Sequence, residues 1–236
     1  MRAGIWLATL LGSSSAVAGR TDFGWLFGTE LVPERTIELS SALYEENQLT
    51  PDRASETRWW LAPVIGVTDR LELALPVEFA KDRTASGATE LDRYGAELRY
   101  RLEAPDPLEP VVPLVRIAVN RLVAARDAVN PQADLVVSYA NGRLHAVVDL
   151  GGYAELRPHA HYLELRPGAG ASVAVTGELR AGAEVFAELP RDAPGRWAVV
   201  GPNVAWTHGR FWLSAAYGVG IFGIKDAPRV QWGIAF

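Results

Sequence analysis

Residues 70–79 read Arg70-Leu71-Glu72-Leu73-Ala74-Leu75-Pro76-Val77-Glu78-Phe79. Leu71, Leu73, Leu75, Val77 and Phe79 alternate with Glu72, Ala74, Pro76 and Glu78. In a strand the first set shares one face and the second set the other. A helix would scatter the leucines around its circumference, so the stretch reads as strand. The pattern returns over 92–102, where Tyr94, Ala96, Leu98, Tyr100 and Leu102 alternate with Arg93, Gly95, Glu97, Arg99 and Arg101. It returns again over 178–189, with Leu179 to Leu189 set against Glu178 to Glu188.

Twelve such runs are legible, with cores at 35–45, 56–66, 70–80, 92–102, 111–120, 133–140, 143–154, 162–175, 178–189, 197–206, 211–222 and 229–236. Short joints recur at every second connection: Thr68-Asp69, Asn141-Gly142, Thr176-Gly177 and His208-Gly209, with the proline-rich 104–110 filling the remaining place. Asn-Gly between alternating runs is a strong hairpin signal. The other joints, at 46–55, 81–91, 121–132, 157–161, 190–196 and 223–228, are longer and more polar. Short turns at one end and long loops at the other are the asymmetry of an outer-membrane barrel. An even strand count puts both termini at the short-turn end. The expectation is an all-β chain: a single antiparallel, up-and-down transmembrane β-barrel of about twelve strands. Pro63 and Pro113 fit near strand ends, while Pro167 and Pro202 are expected to mark bulges or strand limits, because a closed sheet has no edge to host them.

Alternation alone does not separate a membrane barrel from a soluble sandwich. The end of the chain does. Val230, Trp232, Ile234 and Phe236 alternate up to the last residue, which resembles the C-terminal strand that the barrel-assembly machinery of Gram-negative bacteria reads. Trp232 and Phe236 are the candidate assembly signal. Aromatics gather near strand ends (Tyr44, Trp59, Trp60, Phe79, Tyr94, Tyr100, Trp197, Trp206, Phe211 and Trp212), as interfacial girdles require.

The start of the chain is an address. Arg2, the apolar run Ile5–Leu11 and the small residues ending at Ala16-Val17-Ala18 have the layout of a secretory signal peptide over 1–19, which leaves 20–236 for the barrel. The chain of 236 residues carries a formal charge of −5, so nucleic acid is not an expected partner. It has no cysteine, which excludes disulfides, thiolate metal sites and a lipoprotein anchor. After residue 20 no apolar run is long enough for a spanning helix.

Three further stretches carry a family resemblance: Gly66-Val67-Thr68-Asp69-Arg70-Leu71-Glu72-Leu73, Leu179–Phe186, and Val200–Trp206. With the size and strand number, they make the chain resemble the outer-membrane channel family linked to the meta pathway of phenol degradation. The resemblance implies a twelve-stranded, pore-like barrel that transports small hydrophobic compounds, with no catalytic residues to carry over.

If the Leu, Val and Trp positions face lipid, the opposite parity lines the lumen. The candidates are Glu72, Glu78, Arg93, Glu97, Arg99, Arg101, Arg116, Glu164, Arg180 and Glu184. Both signs are present, and pairing across strands is expected, since an unpaired buried charge is costly. Arg99 and Arg101 are expected to meet carboxylates on neighbouring strands. His159 and His161 read as a solvated loop, and no G-x-S-x-G, P-loop or zinc motif occurs. The functional expectation is passive passage of small molecules through the outer membrane, with no cofactor, metal or catalytic residue. A closed structural or partner-binding barrel and a lipid-modifying enzyme are the alternatives.

Overall fold

The computed structural model describes residues 21–49, 55–82, 88–103 and 110–236. The proposed leader over 1–19 and most of the 104–110 joint lie outside them. The described chain is all-β: β1 Ile37–Glu46, β2 Glu56–Thr68, β3 Leu71–Ala74, β4 Val77–Asp82, β5 Glu90–Arg101, β6 Val111–Leu122, β7 Asn130–Asn141, β8 Leu144–Arg157, β9 Ala160–Ala174, β10 Leu179–Pro190, β11 Trp197–His208, β12 Phe211–Phe222 and β13 Asp226–Ala235. Each is antiparallel to its neighbours, and β1 pairs with both β2 and β13. The sheet is therefore closed.

Thirteen segments make a barrel of twelve strands because β3 and β4 are one strand. Both pair with β2 and with β5, and the register against β2 is the same on either side of the break (Val64↔Ala74, Leu61↔Val77). The break falls at Leu75-Pro76. Proline has no N–H to give to the ladder, so pairing lapses there and resumes. The same physics corrects the expectation for Pro167 and Pro202. They mark neither bulges nor strand ends. β9 and β11 run through them, and the ladder skips the proline with its register unchanged. Against β10 the pairs jump from Phe186↔Gly168 to Leu189↔Leu165, and against β12 from Val200↔Val219 to Asn203↔Ala216. Pro63 also sits inside its strand, opposite Leu39. One joint is shorter than expected: β8 and β9 meet at Arg157↔Ala160, so Pro158-His159 is a tight turn among longer loops.

Face parity follows the alternation. Large apolar side chains stand outward and bare; Leu150 is 56% exposed and Leu165 65%. Residues of opposite parity are buried inside, among them Glu72, Glu97 and Glu184. A continuous apolar exterior of this extent is far beyond what a soluble monomer shows in water, and suits hydrocarbon. The aromatics divide between the two faces. Trp59, Tyr94, Tyr100, Trp206 and Phe236 are exposed on the outer wall, but Trp197 and Trp212 are buried inward and Tyr44 lines the interior. These last three are no part of a lipid girdle.

Residues 21–36 belong to no wall strand. They enter the barrel from the short-turn end, fold back near Trp25 and leave beside Glu72 to begin β1. The principal apolar core of the molecule lies here, inside the barrel. Phe23 (0% exposed), Trp25 and Leu26 pack against inward residues including Leu114, Phe186 and Trp197.

Candidate functional site

The interior is organised around this N-terminal plug. An irregular segment buried in a barrel has backbone groups that need partners. The wall supplies them from its inward-facing polar side chains. Glu184 accepts hydrogen bonds from the Gly24 amide at 2.7 Å and the Trp25 amide at 2.9 Å. Asp149 accepts from the Phe27 amide at 3.1 Å, and Glu72 from the Val32 amide at 2.7 Å. In the other direction Ser214 donates to the Phe23 carbonyl at 3.0 Å, and Arg101 donates to the Thr29 carbonyl at 2.7 Å. Side chains add to the docking. Asp22 meets Arg180 at 2.8 Å and His145 at 2.5 Å, and the Thr29 and Ser138 hydroxyls lie 2.5 Å apart. Enclosure raises the Glu30 carboxyl above its ordinary range, against the opposing pull of nearby His145.

Shape matches chemistry. Gly168 and Gly170 lie on the inner face of β9, and a Cβ on either would meet plug side chains at 2.2 Å (Leu26 Cδ2) and 2.7 Å (Phe23 Cε1). Glycine there is what gives the plug its seat. Phe27 lies against two cations on neighbouring strands, with the Arg116 guanidinium 4.1 Å and the Arg99 guanidinium 5.1 Å from its ring centroid.

A cavity of about 520 Å³ lies toward the long-loop end and continues down beside the plug, past Phe27 and Val32, as far as Glu38 and Glu72. Its walls are paired charges. Arg58 binds Glu78 at 2.7 Å and Asp92 at 3.0 Å, while Arg93 binds Asp92 at 2.9 Å and Glu78 at 3.2 Å. The Tyr44 hydroxyl donates to Glu78 at 2.8 Å. Across the cavity Arg166 binds Glu164 at 2.6 Å and reaches Glu188 at 3.4 Å. Around the plug, Arg116 bridges Glu97 and Asp134, each at 2.6 Å, and Arg99 binds Glu97 at 2.7 Å. Arg229 stacks over Trp25 and Tyr44 at 5.3 and 5.0 Å.

All ten candidate lumen residues thus point inward, but they divide by task. Glu78, Arg93, Glu97, Arg99 and Arg116 form cross-strand ion pairs, and Glu164 pairs with Arg166 on its own strand. Glu72, Arg101, Arg180 and Glu184 hold the plug. Arg101 departs from its expected pairing, because its hydrogen-bond acceptor is the Thr29 carbonyl and not a carboxylate. Trp232 and Phe236 stand on the outer face of β13, and the Phe236 amide donates to the Ile37 carbonyl. His159 and His161 are exposed at the β8–β9 turn. Among the described residues no group of three His, Asp or Glu is arranged to hold a metal ion.

The plug itself was missed by the sequence reading. Its signal is Phe23-Gly24-Trp25-Leu26-Phe27-Gly28, an apolar run between leader and first strand with no alternation. A second signal is Gly168, Gly170 and Ser172 on the inner face of β9, where other strands carry charge.

No protein-family model matches the chain, and no curated protein matches its sequence. Solved structures do. The chain is similar in fold to KdgM porin, with a TM-score of 0.55 and 10% identity over 84% of this chain and 99% of that one. It is similar to the β domain of the Bordetella autotransporter Brka, at 0.56 and 10%, covering 86% and 100%. The translocator domain of autotransporter NalP from Neisseria meningitidis gives 0.53 and 12%, covering 85% and 88%. At these identities the likeness is one of fold: the chain has the architecture of an outer-membrane β-barrel.

Proposed function

We propose that this protein is an outer-membrane channel for small molecules, closed in the present conformation by its own N-terminal segment. The observation that carries the reading is how the plug is held. Its contacts with the wall are hydrogen bonds, ion pairs and packing, all of them reversible, and they border a charged vestibule. A barrel needing only to be solid has no use for a cavity lined by Arg58, Arg93 and Arg166. The porin among its fold neighbours lends the channel reading support by analogy alone. Within this reading the leader exports the chain, Trp232 and Phe236 present it to the assembly machinery, and no residue acts catalytically. Transport of small hydrophobic compounds, as in the phenol-pathway channel family, is the finer form of the same proposal and rests on the three sequence stretches that resemble it.

A second reading has its own support. The plug carries the principal apolar core, with Phe23, Trp25 and Leu26 buried against Leu114, Phe186 and Trp197, so the barrel is also suited to being permanently closed. Conductance of the full-length chain separates the two, with a variant lacking residues 22–33 as the open reference. Reconstituted in planar bilayers, the full-length chain is expected to conduct rarely and the deletion variant steadily. A full-length chain that never conducts would overturn the channel and leave the closed barrel, whether or not the deletion variant conducts.

A further inference from the structure

The outer wall carries a trough that lipid packing alone does not explain. Ile117, Ala133, Gly152, Leu165 and Leu189 are consecutive partners across β6, β7, β8, β9 and β10, and so form one row around the barrel. All are outward by parity. The middle of the row is small and its flanks are large, so the surface dips. The volume of the dip is about 880 Å³, and its lining is almost wholly apolar. Gly152 is not forced by crowding: a Cβ there would meet nothing closer than the Ala133 carbonyl oxygen at 3.9 Å. This contrasts with Gly151, whose Cβ would strike Asp134 at 2.4 Å.

The long-loop end of the trough is bordered by Arg191 and Arg196. The Arg191 amide is fixed to the Leu163 carbonyl at 2.9 Å, which ties the loop to the trough wall. The Arg196 Nε rests on the Pro190 carbonyl at 3.3 Å, and among the described residues no carboxylate pairs with its guanidinium. Arg191 has only Asp192 of its own loop, at 3.6 Å, with both side chains about three-quarters exposed. Arg58, Arg93 and Arg166 in the cavity, by contrast, are paired at 2.6–3.0 Å.

We propose that this trough is a binding site for an anionic lipid of the outer leaflet that bears phosphate monoesters, with one acyl chain along Ala133 and Gly152 and a phosphate on Arg191 and Arg196. An acyl chain fills an apolar dip that protein atoms leave open, and a guanidinium at the level of the headgroups suits phosphate in charge and in hydrogen-bond geometry. The inference rests on the membrane placement proposed above, but not on the channel.

The test uses full-length protein, refolded and purified in detergent, then mixed with bisphosphorylated lipid A or with zwitterionic phosphatidylethanolamine. Bound lipid is counted by native mass spectrometry. The expected result is retention of lipid A over phosphatidylethanolamine. Arg191→Gln and Arg196→Gln should each weaken retention about fivefold, the effect of one surface cation on an anionic lipid. Gly152→Leu, which fills the trough and leaves the arginines, should weaken it as well. Equal retention of the two lipids, or unchanged retention in the arginine variants, overturns the proposal. Folding of each variant is checked by heat-modifiable migration in gels. A full-length chain that folds without lipid or detergent would instead defeat the membrane placement, a failure distinct from loss of the lipid site.

Discussion

Glu184 shows how one inward carboxylate is spent. By parity it belongs with the lumen charges, and pairing with an arginine is the natural expectation. Instead its two oxygens accept the amides of Gly24 and Trp25. A carboxylate with two acceptor oxygens suits two adjacent backbone donors, and hydrogen bonds to a charged group are the stronger kind. Glu184→Ala should leave both amides without acceptors, at a cost of about 1–3 kcal/mol for each stranded group. The strand ladders of β10 do not involve this side chain, so the barrel should stay folded while the plug loosens. Hydrogen exchange followed by mass spectrometry reads this directly: the peptide holding Gly24 and Trp25 should exchange faster, and the strand peptides should not change. Unaltered protection of that peptide would show that packing by Phe23 and Leu26, and not Glu184, holds the plug.

At the level of strands, the sequence was legible because a barrel wall obeys one rule throughout. Alternation assigns each residue to one of two faces, and every one of the twelve runs has its counterpart strand in the structure. Proline placement was less legible. A missing N–H reads in sequence as a break, but a ladder held on both sides can skip one rung, as it does opposite Pro167 and Pro202. The two faces should answer differently to the same substitution. Leu150 lies near the centre of β8 on the lipid side, whereas Leu122 lines the vestibule. Leu150→Arg should cost about 2–4 kcal/mol, the penalty for a cation near the bilayer midplane. Leu122→Arg should be milder, since its guanidinium reaches the water of the vestibule. Urea titrations of refolding into lipid vesicles measure both. Equal penalties would mean that the outer face does not meet hydrocarbon.

The plug is a property of the whole molecule, and this is why periodicity did not reveal it. Residues 22–33 have no repeat of their own, and their partners are drawn from β3, β5, β7, β8, β10, β12 and β13, far apart in the chain. Only closure of the sheet brings Glu72, Ser138, Asp149, Glu184 and Ser214 around one segment. Closure also makes the channel proposal testable without deleting anything. The Thr29 and Ser138 hydroxyl oxygens are 2.5 Å apart, near the separation of about 2.05 Å of two bonded sulfurs. The chain has no cysteine of its own, so Thr29→Cys with Ser138→Cys introduces one possible disulfide and no competing thiol. Oxidised, the double variant should hold the plug in place and keep solute flux into liposomes at background. Reduced, it should regain whatever flux the unaltered protein shows, and oxidation should abolish it again. Each single-cysteine variant should be indifferent to the reductant. Flux that persists in the oxidised double variant would mean that solutes pass around the plug or not through this barrel at all.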